Sequence, residues 1–230
     1  MARTRTYSMI VFDLDGTLID SWPGLWLAIE QDLAVQQGEL DLDMLRHGLS
    51  MGIASVCQLA VSQAGLTGDA AAQAGARIAQ GYARTGWQVA HPYEGAGHML
   101  QVLHEHGFAL GLCTNRSRLT TDALLESLGW QGFFSASVCL DEGMAPKPAP
   151  APLLAVIDRL GGAASALFVG DSHIDAACAA AAGVDFAAHL NGYHNHPSEL
   201  EPQVFGFARH TELAQWLGVR PPVTTETNHG

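Results

Sequence analysis

The stretch MIVFDLDGTLIDS, residues 9–21, carries two aspartates, Asp13 and Asp15, directly after an apolar run. Such a run is typical of a buried parallel strand, and the turn at Gly16 and Thr17 indicates where that strand ends. Two carboxylates one residue apart repel each other and are costly to bury, so they indicate a bound cation or a chemical task. A plain turn or helix-cap role is the weaker alternative, because so apolar a run rarely ends in two acids for that purpose alone.

Composition limits the function. The chain has 230 residues, 48% of them hydrophobic, which is enough for a large core. A formal net charge of −12 with 11 Lys plus Arg argues against nucleic acid or an anionic membrane as a partner. An anionic substrate would therefore have to be attracted locally, by a bound cation and a few placed donors.

Cysteine usage and the lack of targeting segments indicate the compartment. The four cysteines have no CxxC spacing, so we expect reduced, buried thiols rather than a zinc site or a disulfide framework. We expect neither a signal peptide nor an apolar stretch of membrane-spanning length, and hence a cytoplasmic soluble protein. The sequence gives no indication of oligomeric state.

Residues 18–90 predict a mostly helical block with no strand candidate. Apolar residues recur at helical spacing from Trp22 to Leu33, after a possible cap at Asp20 or Ser21. Further helices are predicted at 42–47, 53–64 and 69–85. The segment RHGLSMG, residues 46–52, predicts a glycine-punctuated loop that could approach a ligand, although a plain helix connection is an equal alternative.

After residue 91, predicted strands and helices alternate. The strands are expected at 108–113, 135–140, 166–169, 184–188 and 204–208, and the helices at 96–106, 119–128, 151–160, 174–182 and 212–217. This alternation predicts an α/β fold with a parallel sheet covered by helices on both faces. We expect a core formed by residues 1–17 and 91–218, an inserted helical cap at 18–90, and a loose tail at 219–230.

Polar residues follow the predicted strands, where ligands of open parallel sheets bind. Thr114 and Asn115 precede a helix start whose free N–H groups suit an anion. Lys147 lies in the proline-braced segment APKPAP, and Asp171 and Asp175 follow the fourth strand. Taken singly, each has a plain reading as a helix cap or a solvated side chain. Together, several carboxylates indicate Mg²⁺, and the lysine, hydroxyl and amides indicate a phosphate.

These segments resemble the haloacid dehalogenase superfamily, in its phosphatase branch, over nearly the whole chain. They stand in the family's order: DLDGTL at 13–18, LCTN at 112–115, KP at 147–148, and GDS at 170–172 with Asp175. The resemblance implies a Rossmann-like core with a helical cap inserted after the first motif.

The resemblance also implies roles for the site residues. Asp13 would be the nucleophile, Asp15 the general acid and base, and Asp171 a magnesium ligand. The implied catalytic residues are Asp13, Asp15, Thr114 and Lys147. The implied phosphate-binding residues are Gly16, Thr114, Asn115 and Lys147, and the implied metal-binding residues are Asp13, Asp15, Asp171 and Asp175.

Within the superfamily, Asp15 favours the hydrolysis of phosphate esters over the reactions of dehalogenases and phosphonatases. Thr17 more weakly favours a phosphatase over a mutase. The run DGTLIDS and the region of Gly192 and Tyr193 are most similar to phosphoglycolate phosphatases. The predicted substrate is a small phosphorylated metabolite, an acid or sugar, with phosphoglycolate first. Arg116 departs from the lysine expected at its position, so its role is open.

Other interpretations remain open at this stage. A sugar-phosphate phosphatase or phosphomutase of the same superfamily is one, and a non-catalytic phospho-ligand binding protein is another. A receiver-like signalling module is disfavoured by the spacing of the two acids and by the large helical block. The histidine pairs at 104 and 106 and at 194 and 196 predict solvated faces, whereas His173 is expected near the site.

Overall fold

The computed structural model describes residues 7–36, 38–162 and 165–219. Its strands are β1 Met9–Phe12, β2 Ile19–Asp20, β3 His91–Pro92, β4 Ala109–Cys113, β5 Ala136–Val138, β6 Ala166–Gly170, β7 Asp185–His189 and β8 Phe205–Phe207. Its α-helices are α1 Trp22–Leu33, α2 Leu42–Gly48, α3 Ile53–Gln63, α4 Gly68–Thr85, α5 Ala96–Glu105, α6 Arg118–Leu128, α7 Ala151–Arg159, α8 His173–Ala182 and α9 His210–Trp216. Short 3₁₀ turns cover Leu49–Met51, Gly86–Val89 and Pro197–Leu200.

A six-stranded parallel sheet forms the centre of the fold, in the order β5-β4-β1-β6-β7-β8. The central strand β1 pairs with β4 on one side and β6 on the other, so that Phe12 lies opposite Leu112 and Val169. The chain runs outward from β1 in one direction and then in the other. The carboxyl ends of β1, β4 and β6 therefore meet at the point where strand order reverses, the usual ligand site of such sheets.

Strand β1 is apolar throughout because both faces of the sheet are covered. Ile10 and Phe12 pack in one core cluster with α5, α6 and α9, whereas Met9 and Val11 pack in a second with α7 and α8. Alternate residues of a strand point to opposite faces, which accounts for this division. The predicted α/β fold with helices on both faces is confirmed.

The helical block, residues 18–90, has an apolar core of its own. Leu25 and Ile29 of α1, Val56 and Ala60 of α3, and Ile78 of α4 are all fully buried in one cluster. The four-residue spacing within α1 and within α3 places each pair on one face of its helix. The block therefore contributes a third core beside the two that flank the sheet.

Two expectations for the helical block were wrong. It was predicted without a strand, but Ile19–Asp20 forms β2, which pairs antiparallel with His91–Pro92. A two-residue strand is too short to show the alternation on which strand prediction depends. Of the two interpretations of residues 46–52, the glycine-punctuated loop was wrong and the plain helix connection is observed, because α2 continues to Gly48 and a 3₁₀ turn follows.

Near the carboxyl terminus, Val219 is buried in the apolar cluster that contains Ile10 and Phe12, on one face of the sheet. The rest of the expected tail, residues 220–230, lies outside the described residues.

Candidate active site

Three buried carboxylates and one lysine meet beyond the ends of β1 and β6. Carboxylate oxygens of Asp13, Asp171 and Asp175 all lie within 4.8 Å of one another. The Lys147 ammonium lies 2.5 Å from Asp13 Oδ1 and 2.7 Å from Asp175 Oδ1. The four side chains are almost completely shielded from solvent, so their charges interact strongly.

The cluster has more negative than positive charge. Burial raises the pKa of Asp13 to about 7, even though the Lys147 ammonium opposes the rise. Burial, followed by the charges of Asp175 and Asp13, also holds the pKa of Asp171 well above its ordinary value. Burial alone would lower the pKa of Lys147, but its two carboxylate partners outweigh that effect and raise it. These residues fit a divalent cation, since it would supply the missing positive charge to oxygen ligands.

Asp175 is fixed by the first turn of its own helix. Ser172 caps α8: its hydroxyl oxygen accepts the Asp175 backbone N–H at 3.4 Å, while Asp175 Oδ2 accepts the Ser172 backbone N–H at 3.2 Å and the Ser172 hydroxyl at 2.6 Å. This reciprocal arrangement is a capping box. It leaves Oδ1 of Asp175 facing Lys147, so Asp175 holds the lysine as well as contributing charge to the cluster.

Asp171 is held by contacts from two other loops. Thr17 donates its hydroxyl to Asp171 Oδ1 at 2.8 Å, and the backbone N–H of Tyr193 donates to Oδ2 at 2.7 Å. Two glycines make this approach possible. A Cβ at Gly16 would lie 2.2 Å from Asp171 Oδ2, and one at Gly192 would lie 2.3 Å from the same atom. Gly16 also has a φ of +88°, a left-handed conformation that side chains disfavour.

The segment after β4 positions Lys147. Asn115 donates its amide to the backbone carbonyl of Lys147 at 3.0 Å and accepts the backbone N–H of Lys147 at 3.0 Å. Thr114 is buried beside it and accepts the Arg116 backbone N–H at 3.1 Å. The Asn115 side chain thus contacts Lys147, and the expected binding of phosphate by Asn115 stays a prediction.

Asp15 lies apart from the three-acid cluster and pairs with Arg116. The Arg116 guanidinium reaches both oxygens, with Nη2 2.6 Å from Oδ1 and Nε 3.1 Å from Oδ2. Ser21 also donates its hydroxyl to Asp15. Burial would raise the pKa of Asp15, but Arg116 outweighs it and keeps that pKa below its ordinary value. The expected role of Asp15 as a metal ligand stays a prediction.

Arg116 also joins the sheet domain to the helical block. Its Nη2 donates to the hydroxyl of Tyr82 on α4, and its Cζ lies 5.4 Å from the centre of the Tyr82 ring. Both side chains are buried. A single guanidinium therefore connects the acid–base candidate, Asp15, with the helical block.

Tyr193 is a second link to the helical block. Its hydroxyl donates to Asp20 Oδ1 at 2.8 Å and accepts backbone N–H groups from Ser21 at 2.7 Å and Trp22 at 3.1 Å. Ser21 is the N-terminal cap of α1, and Trp22 is its first residue. Since the Tyr193 backbone also holds Asp171, one residue connects the acid cluster with the start of the helical block.

Two buried histidines support the turn after Asp15. His189 Nδ1 donates to the Gly16 carbonyl at 2.8 Å, and His210 Nε2 donates to the Thr17 carbonyl at 2.8 Å. Burial lowers the pKa of both rings, that of His189 to about 4. The two neutral rings thus hold two successive carbonyls of the turn, those of Gly16 and Thr17.

The acids, Thr114, Asn115 and Lys147 were predicted from the sequence, and the structure brings them to one edge of the sheet. Contacts of Tyr82, His189 and His210 were not predicted, and the role of Arg116 was left open. The one available signal was the position of His189, at the end of a buried strand on the functional edge. His173 begins α8 and is half-buried; its influence on the site stays a prediction.

Among the described residues, no helix combines the length and the apolar character needed to cross a membrane.

Comparison with known proteins agrees with this arrangement of strand-end acids and lysine. The family model described as haloacid dehalogenase-like hydrolase matches residues 10–189. The chain therefore belongs to the haloacid dehalogenase-like hydrolases, as the sequence motifs indicated.

Individual relatives match over nearly the full length. A phosphoglycolate phosphatase of Rhodospirillum rubrum is 37% identical over 221 residues, covering 93% of this chain and 92% of the relative. One from Cereibacter sphaeroides is 33% identical over 211 residues, covering 90% and 96%. A solved structure, of a predicted phosphoglycolate phosphatase from Haemophilus somnus, superposes with a TM-score of 0.79 at 24% identity, covering 94% of this chain and 99% of the other. This last likeness concerns the fold.

Proposed function

We propose that this hydrolase is a Mg²⁺-dependent phosphatase that cleaves a small phosphomonoester through an aspartyl-phosphate intermediate. The observation that carries the proposal is the buried group of Asp13, Lys147, Asp171 and Asp175. It provides a carboxylate nucleophile, a fixed ammonium and a cation site within one cluster. A dianionic phosphate needs this local positive charge because the whole chain carries a formal charge of −12.

In the first step, an Asp13 carboxylate oxygen attacks phosphorus, and the bond from phosphorus to the ester oxygen breaks. Asp15 donates a proton to the departing alkoxide. Its pairing with Arg116, which keeps its pKa low in the structure described above, has to loosen for Asp15 to carry that proton. In the second step, Asp15 takes a proton from water, the water oxygen attacks phosphorus, and Asp13 is released together with inorganic phosphate. Covalent catalysis in this form divides one difficult hydrolysis into two easier transfers.

The other site residues neutralise charge on the phosphoryl group or hold the catalytic side chains in position. Lys147 neutralises charge on the phosphoryl oxygens, and Thr114 offers its hydroxyl to one of them. Asp13 and Asp171 would hold Mg²⁺, which would supply further positive charge to the phosphoryl oxygens. Asn115 and Asp175 act by holding Lys147, and Thr17 by holding Asp171.

The helical block at 18–90 acts as a cap inserted into a core formed by residues 1–17 and 91–218. Its separate apolar core and the neighbouring positions of β2 and β3 support this division. Closing over the site, the cap excludes bulk water and contributes to the choice of substrate.

Phosphoglycolate is the substrate we propose, because relatives of that name align over nearly the whole chain. The proposal includes a cytoplasmic location, supported by four cysteines that are all buried free thiols.

The test is phosphate release from a panel of phosphomonoesters that includes phosphoglycolate, with Mg²⁺ or with EDTA. We expect release that needs Mg²⁺ and that falls at least about 1,000-fold in Asp13→Asn, since the nucleophile is lost. Asp122→Asn, which changes a carboxylate that is 59% exposed on α6, should keep wild-type activity. Release from no member of the panel, or full activity in Asp13→Asn, would overturn the proposal.

A further inference from the structure

Arg116 has one guanidinium nitrogen without a partner. Its Nε and Nη2 bind Asp15, Ser21 and Tyr82. Its Nη1 is buried and meets no hydrogen-bond acceptor among the described residues. A guanidinium has five N–H donors, and leaving a buried charged donor unsatisfied is costly. An unpartnered donor on a side chain that is 3% exposed points to an acceptor supplied from outside the chain.

An anionic acceptor suits Nη1 best, because a guanidinium binds a carboxylate more strongly than it binds a neutral group. Lys147 and Arg116 are the only cationic side chains that are buried in the part of the chain the structure describes. Lys147 is committed to Asp13 and Asp175, whereas Arg116 has the single carboxylate of Asp15. Arg116 is therefore the buried cation with a donor, Nη1, left over for an anionic group.

The mechanism decides where that second group stands on the substrate. Asp15 protonates the ester oxygen, so the leaving group must lie against Asp15, and Arg116 is the direct partner of Asp15. A group attached to the first carbon of the leaving alcohol is two bonds from that oxygen. A carboxylate on that carbon therefore lies within reach of the Asp15–Arg116 pair.

We propose that Arg116 selects substrates that carry a carboxylate on the carbon bonded to the ester oxygen, by receiving that carboxylate on Nη1. The inference rests on the proposed phosphatase function and adds the residue that recognises the organic part of the substrate. Guanidinium groups suit this task because their fixed donors match a carboxylate geometrically.

The helical block controls access to this subsite. The Tyr82 hydroxyl, on α4, accepts a hydrogen bond from Arg116 Nη2, and the guanidinium lies over the Tyr82 ring. The other nitrogen, Nη1, is shielded from solvent. The carboxylate reaches Nη1 when Tyr82 withdraws, and it then occupies a site that is again covered on closure. Recognition of the acid is consequently tied to the position of the helical block.

The experiment compares phosphoglycolate with ethyl phosphate, which keeps the phosphate and the two-carbon chain but has no carboxylate. The measurement is the ratio of their kcat/KM values in wild type, Arg116→Met and Arg116→Lys. We expect wild type to prefer phosphoglycolate and Arg116→Met to reduce that preference by about 10- to 100-fold, the range for a hydrogen bond to a charged group. Arg116→Lys, which keeps the charge without the fork, should give an intermediate loss.

Arg118→Met is the matched control, because Arg118 lies two residues on but binds Glu142 and Ser137 at the surface. It should leave the ratio unchanged. Binding of both esters to inactive Asp13→Asn and to Asp13→Asn with Arg116→Lys, measured by calorimetry, gives a second readout that does not depend on turnover or on the stability of Arg116→Met. There the loss should again fall on phosphoglycolate.

Equal losses for both esters in Arg116→Met, or equal binding losses in the lysine variant, would overturn the inference and leave Arg116 as a positioning residue for Asp15. A wild-type enzyme that cleaves ethyl phosphate as well as phosphoglycolate would overturn it too, while the phosphatase proposal stands. Release of phosphate from no ester at all is instead the failure of the proposed function.

Discussion

Asn115 and Lys147 are joined by two hydrogen bonds in opposite directions, each of 3.0 Å, between the amide side chain of one and the backbone of the other. This pair fixes the backbone from which the Lys147 ammonium extends to Asp13, 2.5 Å away. The position of the buried lysine thus depends on a residue 32 positions earlier in the chain.

Replacing Asn115 should therefore affect the reaction through Lys147. We expect Asn115→Ala to lower kcat by about 10- to 100-fold and to reduce the free energy of unfolding by about 1–3 kcal/mol, because two backbone groups of Lys147 lose their partners. Steady-state kinetics and urea denaturation give the two values. A variant with wild-type kcat would show that Lys147 keeps its position without Asn115.

Asp15→Asn should separate the two chemical roles of the acids. The amide cannot donate or accept a proton as a carboxylic acid does, so we expect turnover to fall by about 100- to 10,000-fold, the usual range for general acid–base catalysis. Asp13 is unchanged, and a beryllium fluoride complex that mimics the phosphoenzyme should still form, detected by ¹⁹F NMR. Failure to form that complex would assign Asp15 to metal binding or to structure instead.

Gly192→Ala should weaken the cation site. A Cβ at this position would come within 2.3 Å of the Asp171 carboxylate and displace it. We expect the Mg²⁺ concentration for half-maximal activity to rise at least about tenfold, equivalent to 1.4 kcal/mol. Gly132→Ala is the matched control, because a Cβ there meets no atom within 4 Å. An unchanged Mg²⁺ requirement in Gly192→Ala would contradict the predicted role of Asp171.

His189 should make the fold less stable in mild acid. Its pKa is lowered from 6.5 to about 4 in the folded protein, so the unfolded chain binds the proton more readily. Its contribution is fully present above pH 6.5 and is lost as pH falls toward 4, by up to about 3 kcal/mol.

The measurement is the free energy of unfolding between pH 7.5 and 4, roughly the range in which histidine titrates, for wild type and His189→Asn. The difference between the two proteins isolates this residue from the buried acids, whose raised pKa values act in the opposite direction. We expect the difference to shrink as pH falls. A constant difference would mean that the ring titrates normally in the folded state.

The core of the fold and the acids of the site could be predicted because their signals are local. A continuous apolar run defines β1, and the residues that follow it in the chain are also the residues at its end in space. The same holds for Thr114 after β4 and Asp171 after β6. In each case a strand of four or five residues carries its own evidence.

What the sequence could not provide are contacts that depend on tertiary packing. Arg116 and Asp15 are 101 residues apart, and Tyr193 and Asp20 are 173 apart. No local pattern predicts which arginine will meet which acid across strands. Strand β2 was missed for a different reason, since two residues are too few for any period to appear.

The antiparallel pairing of Ile19–Asp20 with His91–Pro92 has a consequence for how such a chain can vary. The intervening segment leaves the sheet domain and returns to it at one place, so the distance between its ends does not depend on its length. Insertions or deletions within it put no tension on β1 or Asp13, provided that Tyr82 still meets Arg116. On the proposed function, substrate preference can therefore diverge among descendants of one ancestor while the reaction itself is kept.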